Sequence, residues 1–260
     1  MLQTAIEAAR KAGRLIAERY PGGRNLTVKG FRDLVTDADT ASEALILDLI
    51  RARFPDHTIV SEEAGSSEIN NDYTWIVDPL DGTTNYTHYH PVFAVSIGVL
   101  KGGEPLIGVI HDSLRDHTFV AERGGGAWVN NGPIQVSSVA SLENGLVALD
   151  WGHSNEVRER ILLYLHRVVP RCGSLRVLGS AALALAYVAA GRLDAYFQMG
   201  LKPWDAAAGM LMVTEAGGQC STLEGKPYRV DLPGCLASNN IIHDELLTVM
   251  HGNDDGDPCI

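Results

Sequence analysis

Cysteine is scarce in this sequence, and the spacing of the cysteines excludes two kinds of small domain: those held together by disulfides and those held together by zinc. The 260 residues include four cysteines, with no C-x-x-C pair and no pair of histidines at zinc-site spacing. This pattern excludes a disulfide framework and a zinc-finger domain. We expect reduced, partly buried thiols at all four positions, Cys172, Cys220, Cys235 and Cys259.

The sequence also lacks long apolar runs. No stretch approaches the roughly 18 apolar residues that a membrane-spanning helix needs. Residues 1–20 carry apolar side chains at helical spacing with charged residues between them, which interrupts any signal-peptide core. We therefore expect an amphipathic helix at this end, no membrane partner and a cytoplasmic protein.

Positive charge is in short supply. Lys and Arg number 21 against 32 Asp and Glu, so the formal net charge is −11 at pH 7. A general nucleic-acid binder needs clustered basic side chains, and no such cluster occurs, so we expect no nucleic-acid partner. A small phosphorylated substrate remains compatible if cations neutralise an acidic pocket.

Apolar residues are plentiful, at 45% of the chain, which is enough for a sizeable core. Strand-like runs at residues 92–100, 106–111 and 118–121 predict an antiparallel meander, and residues 124–133 predict a further tight hairpin. Beyond the polar stretch 137–143, strands and helices alternate, which predicts an α/β second half. We predict three regions: an N-terminal α+β subdomain at 1–140, a C-terminal α/β subdomain at 141–251 and a disordered tail at 252–260.

The stretch TWIVDPLDGTTNY, residues 74–86, dominates the sequence chemically. Its apolar start predicts a buried strand. Pro79 lacks an N–H group and favours an extended conformation at the residue before it. We therefore predict that the strand ends at Asp78.

The turn after this strand combines two carboxylates with groups that suit an anion. Asp78 and Asp81 offer oxygen ligands for a divalent cation. Gly82 permits a left-handed turn, and Thr83, Thr84 and Asn85 are helix-capping types that leave N–H groups free for a phosphate. An ordinary turn is the alternative, because turns favour Asp, Pro and Gly.

Acids elsewhere in the chain allow two interpretations. A predicted strand at residues 57–60 runs into Glu62 and Glu63, and paired Glu side chains are commonly solvated unless they share a cation. Asp205 precedes a predicted helix at 206–216, where an acid either caps the helix and complements its dipole or binds a ligand.

A second amphipathic helix is predicted directly after Asp39. Thr40 and Glu43 have the spacing of a capping box at its start. Asp37 is interpreted as an acid that complements the helix dipole.

The stretch DPLDGTTN resembles the DPxDGTxN signature of the inositol monophosphatase family, which are lithium-sensitive, Mg²⁺-dependent phosphomonoesterases related to fructose-1,6-bisphosphatase. Other blocks match too: DLVTDAD at 33–39, SEEA at 61–64, GSAA at 179–182 and PWDAAAG at 203–209. The matching regions cover most of residues 1–250. The resemblance implies a layered αβαβα sandwich of the sugar-phosphatase type, with an antiparallel N-terminal sheet and an α/β C-terminal half, and a homodimer.

The resemblance also implies a metal site that holds two or three Mg²⁺ ions. The first ion would be held by Glu62, Asp78 and the Leu80 backbone carbonyl. The second would be held by Asp78, Asp81 and Asp205. Thr83, paired with Asp39, would orient the attacking water, and Glu63 would support the Glu62 side.

Substrate contacts follow from the same resemblance. Gly82, Thr83 and Thr84 would contact the phosphate. The segment Gly179, Ser180 and Ala181 would line the alcohol half. In animal members of the family, a glutamate seven residues before the WD aspartate meets the inositol hydroxyls, and here that position is Gln198.

Inositol 1-phosphate is the leading substrate by resemblance, but Gln198 keeps hydrogen-bonding capacity and lacks the charge. Fructose 1,6-bisphosphate, histidinol phosphate and 3′-phosphoadenosine 5′-phosphate therefore stay open as alternatives. A regulatory role in a transcription complex is an alternative of another class, and the negative net charge argues against nucleic-acid contact.

Overall fold

A computed structural model describes residues 1–20, 22, 26–30, 33–67 and 72–252. The helices in these ranges are α1 Leu2–Arg19, α2 Asp37–Arg53, α3 Thr83–Thr87, α4 Asn155–Val168, α5 Ala181–Ala189, α6 Pro203–Glu215 and α7 His243–His251. The strands are β1 Leu26–Gly30, β2 Asp33–Thr36, β3 Thr58–Ser61, β4 Gly65–Ser66, β5 Tyr73–Asp81, β6 Ala94–Lys101, β7 Glu104–Asp112, β8 His117–Glu122, β9 Gly126–Val129, β10 Gly132–Pro133, β11 Leu146–Leu149, β12 Ser174–Val177, β13 Ala195–Met199, β14 Gln219–Ser221 and β15 Gly234–Ser238.

Residues 58–133 contribute an eight-stranded sheet in the order β10-β9-β8-β7-β6-β5-β3-β4. β3 and β5 are parallel, and the other neighbouring pairs are antiparallel. The predicted meander is confirmed as β6, β7 and β8, and the predicted hairpin is confirmed as β9 and β10. β1 and β2 form a separate two-stranded sheet.

Residues 146–238 contribute a five-stranded sheet in the order β12-β11-β13-β15-β14. β12, β11 and β13 are mutually parallel, whereas β15 is antiparallel to both of its neighbours. Helices lie between the parallel strands in the chain, as parallel neighbours require. The predicted α/β second half is confirmed.

The elements stack in five layers. α1 and α2 cover one face of the first sheet, with Ile46 and Trp75 in the core beneath them. α5 and α6 fill the space between the two sheets. α4 and α7 cover the outer face of the second sheet, where Ile161 and Phe197 are buried. The predicted αβαβα sandwich is confirmed.

The two central helices are rich in small residues because they are buried among neighbours on all sides. Small residues also let the layers approach closely: a Cβ added at Gly108 on β7 would lie 2.5 Å from the Ala208 carbonyl oxygen on α6. The far end of α6 is anchored by Glu215. Its two carboxylate oxygens accept hydrogen bonds from the N–H groups of Gly124 and Gly126, each at 2.9 Å.

The two sheets lie on either side of residues 134–145, which include the predicted boundary at 140. The core between the sheets draws side chains from both halves, for example Phe119 from β8 and Tyr196 from β13. The position of the subdomain boundary stays a prediction. The two halves share the core between the sheets, so hydrophobic contacts cross the predicted boundary.

Helix α2 begins differently from the prediction. Its N-cap is Thr36, and its capping box pairs Thr36 with Asp39, so the prediction that Thr40 and Glu43 form the box was wrong. The Thr36 N–H donates to Asp39 Oδ2 at 2.8 Å, and Thr36 Oγ1 accepts from the Ala38 N–H at 3.2 Å. β2 ends at Thr36, so this residue caps the helix as soon as the chain leaves the sheet.

Some sequence predictions fall outside the described residues. These are Cys259 and the tail predicted to be disordered, apart from Gly252. In the part of the chain that the structure describes, Cys172, Cys220 and Cys235 are free thiols. Within the same ranges, no helix combines the length and the apolar content needed to cross a bilayer.

Candidate active site

Three aspartates from two distant parts of the chain meet at one point. Asp78 and Asp81 lie on β5, and Asp205 lies in the first turn of α6. One carboxylate oxygen from each lies within 4.8 Å of the other two. Asp78 and Asp81 are buried, and Asp205 is half-buried. Converging carboxylate oxygens suit a hard divalent cation such as Mg²⁺.

A β-bulge explains why Asp78 and Asp81 face the same side of the sheet. Asp78 pairs with Ser96 and Asp81 pairs with Ala94, so three steps along β5 match two along β6. Two residues that are three positions apart in a regular strand point to opposite faces of the sheet. The extra residue of the bulge reverses this, so both aspartates point to the same face. Pro79 lies in the bulge, where its missing N–H interrupts no regular ladder. The prediction that the strand ends at Asp78 was therefore wrong, because β5 continues to Asp81.

The turn after β3 brings a further carboxylate to the site. β3 is the parallel neighbour of β5, so Glu62 lies beside the Asp78 end and lines the same pocket. Glu63 does not line the pocket. Instead, the N–H groups of Glu63 and Ala64 donate to Glu43 Oε1 at 3.1 and 2.9 Å, and the Ser61 hydroxyl donates to the same oxygen.

Glu43 is a positioning residue that the sequence argument had assigned to a helix cap. It is buried on α2, and its carboxylate fixes the turn that carries Glu62. Its place on the same helix face as Ile46, Leu47 and Ile50 was the available signal, because a buried Glu needs polar partners.

Burial and mutual repulsion raise the pKa values of the clustered acids. Burial raises the pKa of Asp78 well above its ordinary value, and the charges of Glu62, Asp81 and Asp205 raise it further. Burial raises the pKa of Asp81 to about 7 and that of Asp205 also to about 7, in spite of hydrogen bonds that oppose the change. Crowded carboxylates of this kind are stabilised in their charged form by a cation, so the electrostatics fit a metal site.

Asp205 caps α6 and also faces the other two aspartates. Its Oδ2 accepts the Lys202 backbone N–H at 2.7 Å, which caps the start of α6. The same carboxylate supplies an oxygen to the three-aspartate cluster. The cap fixes the side chain so that it faces the site.

Thr83 and Asp39 are paired. Thr83 Oγ1 lies 2.9 Å from Asp39 Oδ1 and 3.0 Å from the Leu80 carbonyl oxygen. Asp39 is buried, and burial raises its pKa, against hydrogen bonds from Thr36 and Thr83 that lower it. The Asp39 carboxylate therefore holds the Thr83 hydroxyl in a fixed place beside Leu80.

Gly82 makes the sharp turn between β5 and α3. Its φ is 94°, a left-handed conformation, and a Cβ there would lie 2.9 Å from the Val92 carbonyl oxygen and 3.1 Å from that of Gly179. Asn85 Nδ2 donates to the carbonyl oxygens of Val92 and Leu178 at 2.8 and 2.7 Å. The loop is thus tied to the second half of the chain.

Asp81 reaches across to the N-terminus of α5. Its carboxylate accepts the N–H groups of Ala181 and Ala182 at 3.2 and 3.1 Å, and the Ser180 hydroxyl donates to it as well. One residue earlier, Gly179 donates its N–H to Asp150 Oδ1 at 2.7 Å. Residues 179–182 therefore bridge two carboxylates.

These groups surround a pocket of about 460 Å³ between the two halves. Most of the residues predicted for the site line it, namely Glu62, Asp78, Leu80, Asp81, Gly82, Thr83, Thr84, Gly179, Ala181, Gln198 and Asp205. Asp39, Glu63 and Ser180 do not line it, although Asp39 and Ser180 each hold a side chain that does.

One wall of this pocket was not predicted from the sequence. That wall is formed by Asp150, Trp151, Gly152, His153, Arg158 and Val177. Residues 150–158 follow β11 without a recognisable motif, so the only sequence signal was an Asp directly after the apolar residues 146–149. Asp150 is 7% exposed, and burial raises its pKa to about 6.

Comparison with known proteins agrees with this geometry. The sequence model of the inositol monophosphatase family matches residues 1–253. The protein named Nus factor SuhB from Escherichia coli strain K12 is 44% identical over 246 residues, which cover 92% of this chain and 91% of that protein. The inositol-1-monophosphatase of Synechocystis sp. is 40% identical over 253 residues, covering 94% of this chain and 86% of that protein.

Solved structures give the same result. The crystal structure of the extragenic suppressor protein suhB from Bartonella henselae superposes with a TM-score of 0.92 at 36% identity, covering 95% of this chain and 97% of that one. The layer order, the acidic cluster and the range of residues that the family model matches agree with one another. The chain belongs to the inositol monophosphatase family.

Proposed function

We propose that this protein is a Mg²⁺-dependent phosphatase that hydrolyses a small phosphate monoester, with inositol 1-phosphate, converted to inositol and phosphate, as the leading substrate. The observation that carries the proposal is the cluster of Asp78, Asp81 and Asp205 beside the Gly82–Thr84 turn, inside one pocket. The name of the Synechocystis relative, inositol-1-monophosphatase, supports the choice of substrate.

The donor set supports Mg²⁺ as the cofactor, because it consists of carboxylate and carbonyl oxygens. Glu62, Asp78 and the Leu80 carbonyl would hold one ion, and Asp78, Asp81 and Asp205 a second. A third ion would complete the site in the manner of the family. Bound Mg²⁺ lowers the pKa of a water molecule and stabilises the leaving oxygen.

The chain's own groups orient the reactants. Thr83 Oγ1, held by Asp39, is placed to orient the attacking water. Gly82, Thr83 and Thr84 line the pocket where the phosphate would bind. Glu63 would support the Glu62 side of the site together with Glu43, whose carboxylate accepts the Glu63 N–H.

The alcohol half of the substrate would lie against the second half of the chain. Gly179, Ala181 and Gln198 line this side of the pocket. Ser180 acts indirectly, since its hydroxyl donates to Asp81 and accepts from the Leu183 N–H at 3.3 Å. Its role is to position Asp81 and to cap α5.

A phosphate-release screen tests the proposal. The purified protein with Mg²⁺ is given inositol 1-phosphate, fructose 1,6-bisphosphate, histidinol phosphate and 3′-phosphoadenosine 5′-phosphate. We expect the highest kcat/KM with inositol 1-phosphate, loss of release with a chelator, and inhibition by Li⁺. A higher kcat/KM for one of the other three esters would change the substrate. No Mg²⁺-dependent release from any of them would reject the phosphatase.

Homodimerisation is proposed from the family resemblance. Light scattering on a size-exclusion column gives the mass directly, to be compared with 28.0 kDa for one chain. A single species at the mass of one chain, over the working range of protein concentration, would contradict it.

A second candidate function is favoured by the relatives named Nus factor SuhB. Direct nucleic-acid contact is disfavoured by the net charge of −11. Exposed apolar side chains on α4, Leu162 and Leu163, offer a surface for a protein partner in a transcription complex. Recovery of RNA polymerase with the tagged protein at physiological salt, and its loss on Leu163→Glu, would support this role. Equal recovery with the variant would count against this surface.

A further inference from the structure

Asp150 stands apart from the other carboxylates of the pocket. It follows β11 directly, it is buried, and it lines the wall of the pocket that the predicted motifs do not reach. It is not a member of the three-aspartate cluster that would hold metal. A buried carboxylate outside a metal site needs another source of compensation.

The protein supplies only part of that compensation. Asp150 Oδ1 accepts the Gly179 N–H at 2.7 Å, and Oδ2 accepts the Tyr196 hydroxyl at 3.1 Å. Among the described residues, no Lys, Arg or His forms an ion pair with it. The Leu178 backbone also contributes a hydrogen bond that lowers the pKa of Asp150. A carboxylate has about four acceptor positions, so roughly one is left for a ligand in the pocket.

Tyr196 links Asp150 to Gln198. Its hydroxyl is also hydrogen-bonded to Gln198 Oε1, and both of these neighbours line the pocket. A phenol has one proton to donate, and the ionised Asp150 is the stronger acceptor. When the proton goes to Asp150, the Gln198 amide turns so that its Nε2–H group donates to the phenol oxygen, and its Oε1 is left to pair with a ligand. The wall therefore presents one charged acceptor beside one neutral amide.

We propose that Asp150 is a specificity-determining residue that accepts a hydrogen bond from a hydroxyl group on the alcohol half of the substrate. This inference rests on the proposed phosphatase function and deepens it, since it restricts the substrate class to phosphate esters of polyols. Asp150 selects the alcohol, whereas the metal-binding aspartates and Thr83 act on the phosphate.

The test is Asp150→Asn assayed with two esters. Inositol 1-phosphate carries hydroxyl donors on its alcohol half, and p-nitrophenyl phosphate carries none. Asn retains the size of Asp and an oxygen for the Gly179 N–H, but it loses the charge. We expect kcat/KM for inositol 1-phosphate to fall about tenfold to a hundredfold, the cost of a hydrogen bond to a charged group. We expect the value for p-nitrophenyl phosphate to stay within about twofold. Equal losses with both esters would overturn the proposal.

Two further variants separate recognition from stability. Asp116→Asn is a matched control, because Asp116 is exposed and has a φ of 52° that Asn also adopts. It should leave both kcat/KM values unchanged. The double variant Asp150→Asn with Gln198→Glu moves the charge to the other side of Tyr196, and it should recover part of the preference for inositol 1-phosphate. No recovery, together with a melting temperature lowered as in the single variant, would indicate a structural role.

The same assays test the phosphatase function and the role of Asp150 separately. If the wild-type protein hydrolyses neither ester with Mg²⁺, the phosphatase function fails and the role of Asp150 fails with it. If it hydrolyses both and Asp150→Asn lowers both equally, only the role of Asp150 fails. A loss that is much larger for histidinol phosphate, which carries an ammonium group, than for inositol 1-phosphate would also overturn the hydroxyl assignment.

Discussion

Asp81 uses one carboxylate for two purposes. It contributes an oxygen to the cluster with Asp78 and Asp205, and it accepts three hydrogen bonds from the start of α5. Each carboxylate oxygen has two lone pairs, so the same atoms can accept N–H groups and coordinate a cation. The α5 contacts fix the direction in which the remaining lone pairs point.

Asp81→Asn should therefore lower both the affinity for Mg²⁺ and the stability of the fold. We expect Mg²⁺ affinity and phosphate release to fall by more than the roughly 10- to 100-fold that losing an outer-shell partner of a metal costs. We also expect a loss of stability of about 1–3 kcal/mol, because Asn accepts fewer hydrogen bonds from α5. Isothermal titration with Mg²⁺ and urea unfolding measure the two effects.

Asp112→Asn is the matched control for that experiment. Asp112 is also buried and hydrogen-bonded, to Arg115 and Tyr187, but it does not line the pocket. This variant should lose stability and keep its phosphate release. If Asp112→Asn loses activity as Asp81→Asn does, the effect of Asp81 belongs to the fold and not to the site.

The sequence located the acids but not their supports. Asp78, Asp81, Asp205 and Glu62 sit at the ends of strands or helices in recognisable blocks, so their convergence was predicted. Glu43 and Asp150 lie outside those blocks. What marks them is burial with specific hydrogen-bond donors, and that depends on which strands are neighbours in the sheet.

At the scale of elements, the periodic segments were predicted well and the irregular one was not. Strand and helix patterns located β6, β7 and α6 to within a few residues. The bulge in β5 escaped prediction because Pro79 ordinarily ends a strand. Only the pairing of β5 with β6 shows that an extra residue is accommodated.

The turn after that bulge offers a test at the same scale. Gly82→Ala would place a Cβ 2.9 Å from the Val92 carbonyl oxygen in a left-handed conformation. We expect a loss of about 1–3 kcal/mol in unfolding free energy, and lower phosphate release, since the turn carries Thr83. Urea denaturation and the phosphate assay measure these.

Gly102→Ala measures how much of the stability loss expected for Gly82→Ala comes from the left-handed backbone conformation alone. Gly102 has a φ of 58°, and a Cβ there would meet nothing within 4 Å. It should be destabilised by the left-handed conformation alone, about 1–2 kcal/mol, with activity unchanged. Equal effects of the two substitutions would mean that the close approach at Gly82 contributes nothing.

For the whole molecule, we expect the acidic cluster to make stability depend on both pH and bound Mg²⁺. Burial raises the pKa values of Asp81 and Asp205 to about 7, well above the value of about 3.9 for Asp in an unfolded chain. The folded state therefore binds more protons than the unfolded state between these values. Their contribution to stability is full below about pH 4 and is lost as the pH rises through about 7.

We expect the metal-free protein to lose stability from these groups between pH 5 and pH 8, and Mg²⁺ to restore more stability at pH 8 than at pH 5. Thermal melts across this range with a chelator or with Mg²⁺ measure both. Asp205→Asn should flatten the pH dependence of the metal-free protein relative to wild type. A Mg²⁺ effect that is larger at pH 5 would contradict the assignment.

The order of the layers was available from family resemblance and not from periodicity. Hydrophobic patterns predicted a meander and an α/β half, but they do not specify that α5 and α6 lie between the sheets. That arrangement depends on non-local contacts, such as Gly108 against Ala208 and Gly209 against Leu185. A small residue in the sequence does not reveal which element it packs against, so these contacts could not be predicted.

Helix α6 connects two distant places. Its first turn carries Asp205 into the cluster, and its last residue, Glu215, accepts the N–H groups of Gly124 and Gly126. Over 13 residues this rod is about 20 Å long. A displacement of the glycine turn would therefore move the helix as a rigid body and shift the Asp205 carboxylate within the acidic cluster. We therefore expect substitutions or contacts at that remote turn to change the proposed activity without altering any residue of the pocket.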